Sequence, residues 1–197
     1  IKILKKTKKV DFLYIPKFKD IYNHNKKSDI KIANKDKILC AKYRKGHFEG
    51  VLDVMERLTS LVNPKKIFMG KKDYQQYYLI KNYLKNKYKT SIIPCKTIRN
   101  KSKIAMSSRN NHLDLNGIKK ASFLSKNLIK LKRNLANSKK IKQNLKIQMK
   151  YFEKFLKIKI EYLELRSIKN LKISNTVRDS RLFVAYYIDN VRLIDNF

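Results

Sequence analysis

One short segment combines a glycine with two lysines and an aspartate: Gly70, Lys71, Lys72 and Asp73 directly follow the apolar run 67–69. A glycine after a strand lets the backbone approach a ligand closely, and the next helix presents free N–H groups and the positive end of its dipole. Lys72 adds a mobile cation, so the segment could hold nucleotide phosphates. The alternative is an ordinary strand-to-helix turn with an exposed lysine and a capping aspartate, because the spacing matches no Walker A motif.

A second polar cluster follows some thirty residues later and contains Met106, Ser107, Ser108, Arg109 and Asn110. Two hydroxyls followed by a guanidinium suit a loop that folds over a polyphosphate, because the guanidinium forms charge-assisted hydrogen bonds. The alternative is a loop that starts a helix, with the serines as caps and the arginine on the surface. The residues alone leave both interpretations open.

The first half of the chain alternates strand and helix patterns. Short apolar, β-rich runs predict strands at residues 10–15, 67–69 and 92–94. Apolar residues at helical spacing predict helices over residues 51–62 and 77–88, the second with Asp73 at its cap position. This order is typical of a parallel sheet with crossover helices, whose ligands bind beyond the carboxyl ends of the strands.

The second half has a different pattern. Asp114 is placed to cap a helix whose apolar stripe runs over 118–135, and a second stripe covers 141–156. Strands are predicted at 160–165, 182–188 and 191–194, the last two joined by an Asp-Asn turn. Helices followed by strands predict a small α+β domain, so we divide the chain into residues 1–97 and 98–197.

Composition excludes several classes of protein. The 197 residues carry a net charge of +34 but are 43% hydrophobic, which excludes a disordered basic tail. No apolar run approaches the roughly 20 residues of a membrane span, and no signal peptide is visible. We therefore expect a soluble, cytoplasmic protein. Cys40 and Cys95 lack C-x-x-C spacing, so we predict no metal held by cysteine and expect both to be reduced and buried.

The high positive charge suggests a nucleic acid as a possible partner. However, only nine of the 49 basic residues are arginines, the side chain expected for bidentate recognition, and the lysines are spread over every predicted element. We therefore interpret them as a solvated coat and do not expect nucleic acid as a partner. A basic module for RNA or DNA stays as a competing hypothesis, which requires binding that weakens steeply with salt.

Three blocks, in this order and at these separations, resemble the pantothenate synthetases, the pantoate:beta-alanine ligases. They are R-K-G-H-F-E-G-V at 44–51, G-K-K-D-Y-Q-Q at 70–76 and I-A-M-S-S-R-N at 104–110. The closing V-R-L-I-D-N at 191–196 is similar to the last strand of that family. The resemblance implies an α/β fold of the nucleotidyltransferase superfamily, with a Rossmann-like parallel sheet, a small carboxy-terminal α+β lid domain and a homodimer.

The resemblance also implies an ATP- and Mg²⁺-dependent reaction. Pantoate first becomes pantoyl adenylate with loss of pyrophosphate, and the amine of beta-alanine then displaces AMP to give pantothenate, the precursor of coenzyme A. Lys72 is the expected catalytic charge stabiliser, and Gln76 is the expected pantoate ligand. The expected ATP-binding residues are Gly70, Lys71, Lys72, Asp73, Ile98, Met106, Ser107, Ser108 and Arg109. An alternative is another adenylyl-transferring relative, which the role of Gln76 in pantoate binding would distinguish.

The chain departs from the family pattern in three ways, one of which is that residues 100–103 lack the acidic and glycine residues usual there. Lys71 stands where that pattern has Glu, so a negative charge beside the phosphates becomes positive. The H-x-G-H signature has no match among His24, His47 and His112, and we interpret His47 as a structural residue and the other two as exposed loop residues. We expect the sequence to be the carboxy-terminal portion of the enzyme, with a sheet incomplete at its N-terminal side, and predict that it is inactive alone.

Overall fold

The computed structural model of the protein describes residues 6–7, 9–22 and 29–197. Its helices are α1 (Phe18–Ile21), α2 (Cys40–Tyr43), α3 (His47–Val62), α4 (Tyr74–Leu84), α5 (Leu115–Asn134) and α6 (Ile141–Leu156). Its strands are β1 (Lys66–Gly70), β2 (Ser91–Cys95), β3 (Lys159–Ser167), β4 (Ser180–Ile188) and β5 (Val191–Asn196). Short 3-10 turns occupy Asn34–Asp36, Lys71–Asp73, Ser108–His112 and Leu135–Asn137. None of the helices in these ranges is long and apolar enough to span a bilayer.

The predicted βαβ unit of the first half is confirmed. Strands β1 and β2 pair in parallel, with Gly70 opposite Cys95 at their carboxyl ends. Helix α4 connects them and buries Ile80 and Leu84 completely, as its apolar spacing predicted. Both strands therefore end at the same edge, and the turn Lys71–Asp73 begins there.

The strand predicted at residues 10–15 is wrong. This segment is irregular and its apolar side chains are largely exposed, with Phe12 94% and Ile15 62% accessible. An extended segment becomes a strand only when a neighbour satisfies its backbone N–H and C=O groups. Among the described residues, no β-ladder includes this segment. The segment therefore has no neighbouring strand among the described residues with which it could form a sheet, despite its apolar, β-rich composition.

The second half forms the predicted α+β arrangement, an antiparallel sheet in the order β3-β4-β5 with α5 and α6 packed against it. The Asp114 carboxylate caps α5 by accepting a hydrogen bond of 2.6 Å from the Gly117 backbone N–H. Residues that alternate along β4 face this core, where Leu182 and Val184 are fully buried with Leu124 of α5. The predicted strands and helices are therefore confirmed.

The opposite face of the same sheet packs against the first half. Phe183 and Ala185, which alternate with the residues facing the helices, join a core with Tyr74 and Ile80 of α4. The rings of Tyr74 and Phe183 lie 5.9 Å apart, and the Tyr74 hydroxyl donates to the carbonyl of Ile168 at 3.2 Å. The two halves therefore share one apolar layer, and the division at residues 97 and 98 stays a prediction.

The predictions for the burial of the cysteines and the positions of the histidines are only partly confirmed. Both cysteines are free, but only Cys40 is buried; Cys95 is exposed because it ends β2 at the edge of the sheet. His112 is exposed at the end of a 3-10 turn, as predicted. His47 is the first residue of α3, and the prediction for His24 lies outside the described residues.

We predict that Leu182→Ala destabilises the protein by about 2–5 kcal/mol, because it leaves a cavity in the fully buried core between β4 and the helices. The measurement is the free energy of unfolding in urea. The matched control is Ile147→Ala on α6, whose side chain is 55% exposed and which should change stability far less. Equal effects of both substitutions would contradict the described packing.

Candidate active site

Lys72 and Arg109 line the same cavity, although they come from different halves of the chain. Lys72 lies in the 3-10 turn that follows β1, and Arg109 lies in the 3-10 turn Ser108–His112. Asp73 and Ser107 line the cavity beside them, and β5 completes its wall through residues 192–195. The two polar clusters found in the sequence therefore meet at one site.

An adjoining cavity extends this site towards α3 and α4. Gln76 and His47 line it, and it shares Arg44, Lys72 and Asp73 with the first cavity. The side chain of Lys72 is only 19% exposed and stands between the two spaces. A ligand with an anionic group near Lys72 could therefore extend towards Gln76.

The other predicted site residues have different positions. Ile98 and Met106 are 68% and 58% exposed, do not line the first cavity, and are joined by a 2.9 Å hydrogen bond from Met106 N to Ile98 O. Ser108 is exposed and also lies outside that lining. Gly70 ends β1 with open space where a Cβ would be, and Lys71 lines a separate cavity. The sequence therefore predicted one site for all of these residues, whereas the fold places several of them outside the cavity that Lys72 and Arg109 line.

Asp73 does not cap α4 through its side chain, contrary to prediction. The residue is at the cap position, but its carboxylate lies 3.7 Å from the ammonium of Lys72 and is about half exposed. The preceding 3-10 turn alters the direction in which the chain enters the helix. The carboxylate is therefore available to the cavity.

The backbone of the lysine turn is held by the last strand of the sheet. The Asn196 side-chain amide donates to the carbonyls of Lys71 and Lys72, at 2.9 and 2.7 Å. Its oxygen accepts from the guanidinium of Arg181, and the residue is only 2% exposed. A buried amide whose donors and acceptor are all satisfied has one preferred orientation, so Asn196 fixes the position of the turn.

A buried ion pair orients Asn196 in turn. Arg99 binds Asp195 through two hydrogen bonds of 2.6 and 2.8 Å, and also donates to the carbonyl of Asn196 at 3.1 Å. Asp195 accepts from the backbone N–H of Asn196 at 2.7 Å. Burial raises the pKa of Asp195, while the hydrogen bond and charge of Arg99 oppose this effect. Bidentate pairing keeps both groups satisfied in this buried setting.

Arg109 is positioned by a second buried pair. Its guanidinium donates to the carbonyl of Arg192 at 2.8 Å. Arg192 itself pairs with Glu161 at 2.6 Å, and both side chains are about nine-tenths buried. Arg192 also lies 3.4 Å from the sulfur of Cys40, which contacts the Tyr162 hydroxyl at 3.1 Å. The carboxy-terminal sheet therefore anchors both phosphate-loop candidates.

Positive charge exceeds negative charge at the site. Four cations, Arg44, Lys72, Arg109 and Arg192, line the first cavity. Burial lowers the pKa of His47, and the charges of the three arginines lower it further. Burial also lowers the pKa of Arg44, with Arg109 adding to the shift. Cations crowded in this way create a potential that favours an anion.

Sequence reasoning missed the site roles of Arg44, Arg192 and Asn196. Arg44 begins the block at 44–51, but neither its residue type nor its spacing predicts a function for it. The signal for the other two was the closing V-R-L-I-D-N, where polar side chains interrupt an apolar strand. Buried polar residues in a strand require partners, and here those partners are the site loops and Glu161.

Known proteins with similar sequences include pantothenate synthetases and a bifunctional pantoate ligase. The chain is 34% identical over 193 residues to the pantothenate synthetase of Sulfurihydrogenibium sp. (strain YO3AOP1), an alignment that covers 95% of this chain and 68% of that protein. It is 39% identical over 196 residues to the bifunctional pantoate ligase/cytidylate kinase of Prochlorococcus marinus (strain AS9601), covering 94% of this chain and 37% of that protein.

Solved structures give a similar result. The pantothenate synthetase from Thermus thermophilus superposes with a TM-score of 0.84 at 25% identity, covering all of this chain and 72% of that one. The pantoate-beta-alanine ligase from Francisella tularensis, complexed with beta-gamma ATP and beta-alanine, gives a TM-score of 0.77 at 33% identity, covering all of this chain and 67% of that one. The model of the family described as pantoate-beta-alanine ligase matches residues 1–197, and the chain belongs to that family.

Proposed function

We propose that the protein catalyses the ATP-dependent condensation of pantoate with beta-alanine to pantothenate, through a pantoyl adenylate. The observation that supports this most directly is the shared cavity of Lys72 and Arg109, with Gln76 in the space next to it. One cavity lined by converging cations suits a triphosphate, and the adjoining space, which has a largely apolar wall with Gln76 in it, suits the acid that attacks it. Membership of the ligase family supports the same reaction.

In the proposed first step, a carboxylate oxygen of pantoate attacks the α-phosphorus of ATP, and the bond to pyrophosphate breaks. Gln76 binds pantoate, and Lys72 neutralises the charge that develops on the phosphates, without covalent participation. Arg109 and the hydroxyls of Ser107 and Ser108 close over the phosphates. In the second step, the amine of beta-alanine attacks the acyl carbon and AMP leaves.

The remaining ATP-binding assignments are also proposals. Gly70 permits close approach because no side chain stands at its Cβ position. We assign backbone contacts to Lys71, because the residue lines the second cavity and not the one that Lys72 and Arg109 share. Ile98 and Met106 present exposed apolar surface, which suits contact with the nucleotide.

We propose Mg²⁺ as the metal of the reaction. Residues 6–7, 9–22 and 29–197 contain no cluster of three metal-ligating side chains. Protein sites nevertheless often bind Mg²⁺ with substrate phosphates and only one or two carboxylates. Asp73 fits that requirement because its carboxylate is half exposed beside Lys72 at the cavity. The bound ion would neutralise phosphate charge, and Lys72 and Arg109 would neutralise the remainder.

We also propose that these 197 residues do not complete the reaction alone, that the active enzyme is a homodimer, and that it is cytoplasmic. Two features support the first point: the sequence contains no H-x-G-H, and the β-rich segment 10–15 is exposed without a ladder in the described chain. The unpaired cysteines are compatible with a reducing compartment. The second candidate function is another adenylyl transfer, since the same phosphate loops would serve it.

We predict that Lys72→Ala weakens ATP binding to the chain by about tenfold, because a charge-assisted contact to phosphate is lost. Isothermal titration calorimetry is the measurement. Lys85→Ala is the matched control, since Lys85 is an exposed lysine just beyond α4. Equal affinity for ATP in the wild type and the Lys72 variant would contradict the assignment.

A second prediction concerns His47. Its pKa lies below the ordinary value of about 6.5, so between these two values the unfolded chain binds more protons and stability falls as pH decreases. We expect Arg109→Ala and ATP binding each to raise this pKa, because one removes a cation and the other adds an anion. Titration of the imidazole by NMR measures it, with the exposed Arg178→Ala as control. If neither Arg109→Ala nor ATP changes the pKa of His47, the cations of the cavity do not act on this imidazole.

A third prediction concerns the product of the full gene from which these residues are read. It should form AMP and pantothenate from ATP, pantoate and beta-alanine, whereas the 197-residue chain should form neither. Gln76→Ala should raise the KM for pantoate about tenfold, through a lost hydrogen bond, while the KM for ATP changes little. AMP formation that does not depend on pantoate would favour the second candidate function.

A further inference from the structure

A separate basic cavity lies between the end of α5, strands β4 and β5, and the segment that follows β2. Its lining includes six cations and no acidic side chain. The cations are Lys71, Lys96, Arg99, Lys132, Arg133 and Arg181. They come from four separate parts of the chain, so their convergence is a property of the fold and not of one lysine-rich run.

The charges in this cavity are poorly compensated. Asp195 pairs with Arg99 and its charge also acts on Arg181, whose direct contacts are neutral: the Asn196 side-chain oxygen and the ring of Tyr74 at 5.1 Å. The Lys132 ammonium has no hydrogen bond or ion pair within the part of the chain that the structure describes. Burial lowers the pKa of both Lys132 and Arg181, and the charge of Arg181 adds to the shift of Lys132. Half-buried cations that outnumber the acids beside them are costly unless an anion joins them.

This cavity is distinct from the candidate active site. Of the predicted site residues, only Lys71 lines it, and Asn196 stands between Lys71 and the cavity that holds Gln76. The Thr97 hydroxyl, at the same cavity, is buried without a hydrogen-bond partner in the described ranges.

We propose that this cavity is a second anion site, which binds a small molecule with two or more adjacent phosphate groups. Its cations come from four parts of the chain and line one concave space, which suits a compact anion, whereas a nucleic acid requires an extended basic stripe. Lys71 and Lys132 reach the anion as mobile point charges, and Arg181 is held in place by Asn196. The proposal goes beyond the ligase reaction and does not require it.

The test is titration of pyrophosphate without Mg²⁺ by calorimetry, in the Lys72→Ala background, which weakens phosphate binding at the active site. Lys132→Met and Lys71→Glu should each weaken binding by about tenfold or more, because each removes a charged contact and the second adds a repulsive one. The matched control is Lys130→Met, an exposed lysine on the same helix that does not line the cavity. It should retain the affinity of the background protein within about twofold.

The results of these titrations distinguish a specific anion site from binding to the general lysine coat and from RNA binding. Selective loss in the Lys132 and Lys71 variants, with circular dichroism unchanged, supports the site. Equal losses in Lys130→Met would show that pyrophosphate binds the general lysine coat and would overturn the proposal, as would no measurable binding. Tighter, salt-sensitive binding of a short RNA than of pyrophosphate, abolished by the same variants, would also overturn it. Because ATP binding through Lys72 is measured separately in the wild type, failure of either proposal leaves the other testable.

Discussion

The contact between Asn196 and the turn that follows β1 links the two halves of the candidate site. The Asn196 amide donates to the carbonyls of Lys71 and Lys72, and its oxygen is held by Arg181. This side chain belongs to the last strand, whereas the turn belongs to the parallel sheet. A residue near the carboxyl end of the chain therefore decides where the phosphate-binding candidate Lys72 stands.

The same strand positions the second loop. The carbonyl of Arg192 holds Arg109, and the guanidinium of Arg192 is fixed by buried Glu161. A buried pair of this kind adds little net stability against an apolar alternative, but removing one partner would leave an unpaired charge. The pair acts here by orienting side chains. It holds Arg192 in place, and the neighbouring Arg109 remains exposed towards the cavity.

The concentration of positive charge has a cost that a ligand can offset. Burial and mutual repulsion lower the pKa values of Arg44 and His47 at the site, and of Lys132 and Arg181 in the second cavity. Binding of an anion next to such groups is therefore favourable, because it offsets the repulsion between them. The lysine coat that the composition suggested is therefore uneven, because most lysines are solvated while a few are gathered with arginines in two concave sites.

The sequence alone determined most of the local structure, since the periods of apolar residues predicted α3 to α6 and the strands β1 to β5. The chemistry of its glycine-lysine and serine-arginine clusters also predicted phosphate-binding roles for Lys72 and Arg109, and the family resemblance added Gln76 as the pantoate ligand. Only the tertiary structure decided the outcome at residues 10–15, where an apolar pattern lacks a paired neighbour in the described chain. The tertiary structure also determines that Lys71 and Lys72 line different cavities, and that the Asn196 amide donates to both of their carbonyls. Spacing along a chain specifies which face of an element is apolar, whereas contacts between residues more than a hundred positions apart depend on how those faces pack.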